Sequence, residues 1–128
     1  MSALVVDTSS WVSWLAGKGS PLIDEAAGEG RLYLPVMVAA ELLSGKLSAK
    51  KQRELEAALR ELPLCAQDLD HWFRVGRLRA SLRAVGLVTS TPDAHVAQSA
   101  LDLDAELLTE DAIFALVARH TALRLSAR

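Results

Sequence analysis

Four acidic side chains stand at positions where packing alone does not explain a carboxylate. Asp7 directly follows a short apolar run, Glu41 and Asp93 belong to otherwise apolar helical segments, and Asp111 follows a second apolar run. An ionised carboxylate on a buried face is costly unless a cation or hydrogen bonds compensate it, and neighbouring carboxylates raise one another's pKa values. A divalent cation removes both problems. A set of oxygen ligands without His or Cys favours Mg²⁺ or Mn²⁺ and argues against zinc.

Each of these residues also has an ordinary structural interpretation. Asp7 is a suitable cap for the helix that follows it, and Glu41 is a suitable partner for a buried arginine. Asp93 and Asp111 are common residue types at helix starts. The metal hypothesis depends on the four together: Asp7 and Asp111 each follow a predicted strand, and the carboxyl ends of parallel strands lie at one edge of the sheet, where ligands bind.

The segments that must position the carboxylates alternate between strands and helices. Short apolar runs predict strands over residues 3–6, 31–34 and 105–109, with a short edge strand at 63–66 and a last strand at 123–125. Capping residues and apolar periodicity predict seven helical segments, which begin near residues 8, 21, 35, 49, 68, 92 and 111. Strands that alternate with helices imply crossover connections and a parallel sheet.

Length and composition limit the class of protein. A chain of 128 residues forms one domain, 1–128, with a core of ordinary size. Its single cysteine, Cys65, cannot form an internal disulfide, which favours a reducing cytoplasm. Met1 is followed by neither a signal peptide nor a membrane-spanning run. The 51% hydrophobic content predicts apolar surface for a partner, such as a second copy of the chain.

The four carboxylates lie in segments that resemble one known family, the PIN-domain ribonucleases, and within it the VapC toxins of toxin–antitoxin pairs. The similarity covers almost the whole chain and is carried by four segments in order, LVVDTS at 4–9, PVMVAAELLSG at 35–45, PDAHVA at 92–97 and LLTEDAIF at 107–114. The sequence departs from the family pattern at His95 and Ala112, neither of which is one of the carboxylates.

The resemblance implies a three-layer α/β/α sandwich with a short, mainly parallel central sheet. It also implies a Mg²⁺-dependent endoribonuclease, with Mn²⁺ as the alternative ion, that forms a homodimer and is held silent by a cognate antitoxin. Asp7 and Asp93 would be the main metal ligands. Glu41 would bind the metal directly, bind it through water, or act as general base, and Asp111 would complete the ligand set or hold a second ion.

Other polar residues have supporting roles in this hypothesis. The hydroxyls of Thr8, Ser9 and Thr109 would orient the carboxylates. Basic residues on the helices, with Lys46, Arg74 and Arg77 foremost, would bind RNA phosphates. Solvated helix faces are the ordinary interpretation of the same basic residues.

Other functions with an aspartate after the first strand fit less well. A haloacid-dehalogenase-type phosphatase needs a second aspartate two residues on, where Ser9 stands, and a response-regulator receiver needs a late lysine, whereas Lys51 is the last one. No Gly-x-Gly-x-x-Gly follows the first strand, as a dinucleotide-binding fold requires. A non-catalytic PIN-like binding module and a nuclease that cuts DNA or processes RNA outside a toxin system remain the alternatives.

Overall fold

The sheet at the centre of the molecule is short and parallel throughout. In the computed structural model, which describes residues 2–127, its strands are β1 (Leu4–Val6), β2 (Leu32–Tyr33), β3 (Glu106–Leu108) and β4 (Arg124–Leu125), in the order β2-β1-β3-β4. Leu4 pairs with Leu32 on one side and Glu106 on the other. The all-apolar sequence of β1 follows from this central place, because a strand covered on both faces has no exposed side.

Helices cover both faces of the sheet. The crossover from β1 to β2 runs in one direction and the crossovers from β2 to β3 and from β3 to β4 run in the other. Because parallel crossovers are right-handed, this reversal places helices on opposite faces. The predicted three-layer α/β/α sandwich with a short parallel sheet is therefore confirmed.

The seven predicted helical segments are confirmed within residues 2–127. They are α1 (Thr8–Leu15), α2 (Pro21–Gly28), α3 (Val36–Leu43), α4 (Ala49–Arg60), α5 (Leu69–Ala84), α6 (Thr91–Asp102) and α7 (Ile113–Ala118). Side-chain caps explain several of the starts: Ser20 accepts a hydrogen bond from the Leu22 amide, and Ser48 accepts one from the Lys51 amide. None of these helices has both the length and the hydrophobicity needed to cross a bilayer.

The predicted strand at 63–66 is reduced to a single bridge. Leu34 pairs with Leu64, and its amide donates to the carbonyl of Pro63. Pro63 has no N–H to donate in return, so the ladder does not extend. The predicted short edge strand is therefore present only as this one parallel bridge.

Helix α6 contributes most to the buried core. Its small residues Ala94, Ala97 and Ala100 are almost fully buried, as is Val96, and the helix contacts both β1 and β3. Small side chains allow this close approach of a helix to a sheet. Asp93, one residue before this stretch, is therefore attached to one of the most firmly packed elements in the molecule.

A chain of buried hydrogen bonds joins α3, α5 and α6. The Met37 amide donates to Nε2 of His95 (3.4 Å), Nδ1 of His95 meets Nε2 of His71 (2.8 Å), and Nδ1 of His71 meets Oδ2 of Asp102 (2.7 Å). Because Nε2 of His95 accepts, its Nδ1 carries the proton and donates to His71, which in turn donates to Asp102. Arg74 holds the same carboxylate with two hydrogen bonds. The network thus assigns one tautomer to each imidazole.

The hydrogen-bond network predicts that the folded protein loses stability as the pH falls from about 6.5 to about 4. Burial, and then the neighbouring His71, lower the pKa of His95 from 6.5 to about 4. The unfolded chain therefore takes up a proton at a higher pH than the folded protein does, and stability is lost as the pH falls through this window. The loss assigned to His95 is on the order of 3 kcal/mol.

Urea denaturation at a series of pH values measures this loss. His95→Gln is expected to flatten the profile below pH 6.5, whereas His120→Gln, at an exposed histidine, is expected to leave its slope unchanged. An unchanged slope in the His95 variant contradicts the assignment.

Candidate metal centre

The predicted carboxylates gather where the sheet changes its winding direction. The chain leaves β1 towards β2 on one side and leaves β3 towards β4 on the other. The crevice at the carboxyl ends of two such strands is where ligands bind in open α/β sheets. Asp7 follows β1, and its amide donates to the carbonyl of Leu108 at the end of β3 (2.9 Å).

Asp7 is buried and held by two hydroxyls. It is 6% exposed, and its Oδ2 accepts hydrogen bonds from Ser9 Oγ (2.9 Å) and Thr109 Oγ1 (3.0 Å). Although Asp7 occupies the N-cap position of α1, its side chain makes no capping hydrogen bond. The ordinary capping role therefore does not explain this carboxylate. Both described hydrogen bonds end on Oδ2, so Oδ1 is the oxygen available to a ligand.

The two hydroxyls also fix the loop that follows β3. Ser9 Oγ accepts a hydrogen bond from the Glu110 amide, and Thr109 Oγ1 accepts one from the Asp111 amide, each at 3.0 Å. Each hydroxyl therefore donates to Asp7 and accepts from a backbone amide. This arrangement couples the position of Asp111 to the orientation of Asp7.

Glu41 lies at the surface, so its predicted place on a buried helix face is wrong. The buried residues of α3 are Val38 and Leu42, whereas Ala40 and Glu41 are exposed. A helix buries one stripe, and Ala and Met tolerate exposure, so an apolar sequence does not require burial all round. The Glu41 carboxylate accepts a hydrogen bond from Thr8 Oγ1 on the neighbouring α1 (2.9 Å), and no arginine within residues 2–127 pairs with it.

Asp93 shows that the four carboxylates share one electrostatic environment. Partial burial, the largest cause, raises its pKa, and repulsion by Asp111, Asp7 and Glu41 raises it further, while a hydrogen bond with Ser90 opposes the shift. Within residues 2–127, none of the four carboxylates forms an ion pair with a basic side chain. The described basic side chains therefore do not neutralise the negative charge of the group by direct pairing.

Asp111 combines a structural role with its place in the group. It is exposed, and its Oδ1 accepts a hydrogen bond from the Ile113 amide (3.0 Å) at the start of α7. The ordinary role at a helix start is thus realised by one of its oxygens. The other oxygen remains for a ligand.

The donor chemistry of this group fits a hard divalent cation. It consists of carboxylate and hydroxyl oxygens, without thiol or imidazole, and carries excess negative charge. No three acidic, histidine or cysteine side chains of the described range already surround a point closely enough to hold a metal. Glu41 and Asp111, which are exposed, would have to rotate inward or act through water to reach a cation held by Asp7.

The basic residues predicted to bind RNA lie at different distances from the carboxylates. Lys46 lines the same groove as Glu41. Arg74 is held by Asp102 at the far end of α6, roughly 13 Å along the helix axis from Asp93. Arg77 is exposed and lines a shallow depression with Arg74.

One residue of the centre was missed in the sequence. Ser90 accepts a hydrogen bond from the Asp93 amide (3.1 Å) and caps α6. The signal was present, since a serine three residues before an acidic residue is the pattern of a capping box.

Comparison with known proteins identifies the family. The model of the PIN domain matches residues 4–120. The chain belongs to the PIN-domain family. It is 32% identical to VapC ribonuclease Mb1587 of Mycobacterium bovis and to Ribonuclease VapC11 of Mycobacterium tuberculosis, over 94% of this chain and 96% of each relative.

Solved structures show the same PIN-domain fold. VapBC from Salmonella typhimurium bound to DNA superposes with a TM-score of 0.80 at 18% identity, covering 98% of each chain. VapBC2 from Rickettsia felis, bound to a DNA fragment from its promoter, gives 0.77 at 21% identity over 97% of each chain. VapBC-5 from Mycobacterium tuberculosis gives 0.68 at 23% identity over 98% of each chain.

In this PIN domain, Thr109→Val is expected to lower Mn²⁺ affinity about 10- to 100-fold. Valine keeps the shape of the side chain but removes the donor to Asp7 and the acceptor of the Asp111 amide. Calorimetric titration with Mn²⁺ measures the loss. Thr121→Val is the matched control, because its hydroxyl bonds only backbone groups near the end of α7. Equal affinity in wild type and Thr109→Val contradicts the orienting role.

Proposed function

We propose that the protein is a Mg²⁺-dependent endoribonuclease that acts in the cytoplasm as the toxin of a type II toxin–antitoxin pair. The observation that carries the proposal is the group of Asp7, Glu41, Asp93 and Asp111 at the switch point of the sheet. Burial and then repulsion raise the pKa of Asp93, and within residues 2–127 no basic side chain forms an ion pair with any of the four. The relatives at 32% identity, which bear the name ribonuclease, support the reaction class.

The roles of the four carboxylates follow from how deeply each is buried. Asp7 and Asp93 are the main metal ligands, because they are the two less exposed carboxylates. Asp7 follows the central strand β1, and Asp93 lies in the first turn of the firmly packed helix α6. Glu41 and Asp111 complete the oxygen set from the rim. A bound Mg²⁺ or Mn²⁺ supplies a more acidic attacking water and stabilises charge on the phosphate. Thr8 holds Oε1 of Glu41, so Oε2 is the oxygen that would either bind the ion or accept a proton from the attacking water.

The RNA approaches past basic side chains. Lys46 stands next to Glu41 at the rim and attracts the phosphate backbone. Arg77, exposed on α5, extends the contact away from the carboxylates. Arg74 contributes less, because two of its donors already bind Asp102.

Apolar surface supports the two protein partners, a cognate antitoxin and a second copy of the chain. A groove of about 440 Å³ beside Glu41 includes Val12, Leu15 and Leu42, and Val12 is 55% exposed. This groove suits an amphipathic antitoxin helix placed next to the carboxylates. Leu69 and Phe73 on α5 are also more than half exposed, which suits a homodimer contact. The solved VapBC-5 structure belongs to a toxin–antitoxin family.

Cleavage of structured and single-stranded RNAs tests the function. Wild type is expected to cut RNA with Mg²⁺ or Mn²⁺ and to stop in EDTA, with a DNA oligonucleotide of the same sequence left intact. Cleavage that persists in EDTA contradicts the metal dependence, and cleavage of DNA alone contradicts the RNA assignment. Mg²⁺ binding without cleavage of any substrate favours a binding module.

The toxin role has its own test. Expression without an antitoxin is expected to arrest growth, and expression of Asp7→Asn at the same level is expected to be harmless. Normal growth with active wild-type enzyme in the cell contradicts the toxin role and leaves the nuclease proposal standing.

A further inference from the structure

A small polar cleft adjoins the carboxylates at the same edge of the sheet. It has a volume of about 230 Å³. Ser10, which lines it, follows Ser9, and the lining residues Leu108 and Glu110 flank Thr109. The cleft therefore begins one residue away from the two hydroxyls that hold Asp7. None of the four carboxylates of the proposed metal centre lines this cleft.

Ser10 is buried without a hydrogen-bond partner. It is 4% exposed, and its hydroxyl bonds no group within residues 2–127, although a helical serine commonly bonds the carbonyl one turn earlier. Within residues 2–127, the wholly enclosed side-chain atoms that lack a partner belong to Arg31 and Thr89 and not to Ser10. The hydroxyl is therefore open to the cleft. A buried polar group without a partner calls for an explanation, and a ligand in the cleft provides one.

Apart from Glu110, the other polar side chains that line the cleft, Lys18 and Ser20, are hydrogen-bond donors. Lys18 forms no ion pair in the described part of the chain. Ser20 accepts from the Leu22 amide, which leaves its O–H free to donate. Ser20 also caps α2, whose N-terminus favours negative charge. Glu110 adds one carboxylate to the lining, so the preference for an anion comes from directed donors and not from net charge.

We propose that this cleft binds the RNA phosphate next to the one that is cleaved. The inference rests on the proposed ribonuclease function. The cleft is smaller than the roughly 300–1,000 Å³ of sites for whole small-molecule ligands, so it takes one group rather than a nucleotide. An ammonium, two hydroxyls and a helix N-terminus match the oxygens of a phosphodiester. They also offset the repulsion that the nearby carboxylates exert on the RNA backbone.

Binding of a labelled single-stranded RNA in EDTA measures the cleft without cleavage. Lys18→Ala is expected to weaken binding about tenfold and to reduce the slope of log affinity against log salt by about 0.7. Lys50→Ala, which removes the same charge from an exposed site at the start of α4, is the control and is expected to change affinity less than twofold. A DNA oligonucleotide of the same sequence is expected to show the same loss with Lys18→Ala, because the cleft contacts phosphate alone.

Ser10→Ala separates a binding role from a structural one. Removing a buried hydroxyl that has no partner is expected to leave the melting temperature unchanged or higher. The same change is expected to weaken RNA binding about threefold. A lower melting temperature with unchanged RNA affinity contradicts the proposal.

A single neutral methylphosphonate, moved along the RNA, locates the contact. At one position the substitution is expected to weaken binding to wild type but not to Lys18→Ala, because both changes remove the same interaction. Additive losses at every position contradict the cleft assignment while leaving the ribonuclease proposal intact. A wild-type protein that neither binds nor cuts RNA contradicts both.

Discussion

Asp7→Asn is expected to reduce RNA cleavage about 10³-fold or more while the fold is kept. The amide oxygen of asparagine can still accept the hydrogen bonds of Ser9 and Thr109, which both end on one oxygen of Asp7. The amide nitrogen then takes the place of the ligand oxygen and presents hydrogens to a cation. The variant therefore loses both the negative charge and the free lone pair at the metal position.

Kinetics on a labelled RNA and a thermal melt followed by circular dichroism measure the two parts of this expectation. Asp70→Asn makes the same chemical change at an exposed residue in the first turn of α5 and is expected to cleave like wild type. Full activity in a normally folded Asp7→Asn protein would mean that the centre is misassigned.

Without metal, the Asp93→Asn variant is expected to be more stable than wild type. Once Mg²⁺ is added, the variant is expected to be less stable than wild type. Without metal, the charge of Asp93 is partly buried and faces three other carboxylates, so its removal should raise the melting temperature by about 2–6 °C. With Mg²⁺ at 100 times its dissociation constant, wild type gains about 2.7 kcal/mol that the variant does not. The order of the two melting temperatures is therefore expected to reverse.

Asp102→Asn provides the contrast. Burial alone would raise the pKa of Asp102, but hydrogen bonds from Arg74, Gln98 and His71 outweigh it and lower the pKa. Its charge is therefore stabilising, and the variant should melt below wild type with and without Mg²⁺. Differential scanning calorimetry in EDTA and in Mg²⁺ compares the three proteins. If Asp93→Asn melts below wild type in EDTA, the repulsion within the carboxylate group is not significant.

Strand ends were the most reliable guide to the candidate site. Asp7 and Thr109 could be placed together from the sequence, because both follow apolar runs whose parallel pairing brings their carboxyl ends to one edge. The surface position of Glu41 could not be predicted, since Ala and Met beside it are compatible with either environment. Helix α3 buries Val38 and Leu42 and leaves Ala40 and Glu41 exposed.

Two groupings of residues could not be predicted from the sequence, because they depend on how separate elements pack. His71 and His95 are 24 residues apart, and they meet only because α5 packs against α6. Ser10 of α1 and Lys18, which lies between α1 and α2, share a cleft with Leu108 at the end of β3. Neither pairing leaves a local spacing signal, because both depend on how whole elements dock.

The hydrogen bond between Asp7 and Thr109 joins residues 102 positions apart. On a ribosome that adds 5–20 residues per second, the aspartate emerges about 5–20 s before its threonine. Strand β1 cannot occupy its central place until β3 has been synthesised beside it. A nascent chain therefore carries the first carboxylate of the proposed centre before the hydroxyl that orients it, and the proposed cleavage of RNA can begin only after β3 and Thr109 have been synthesised.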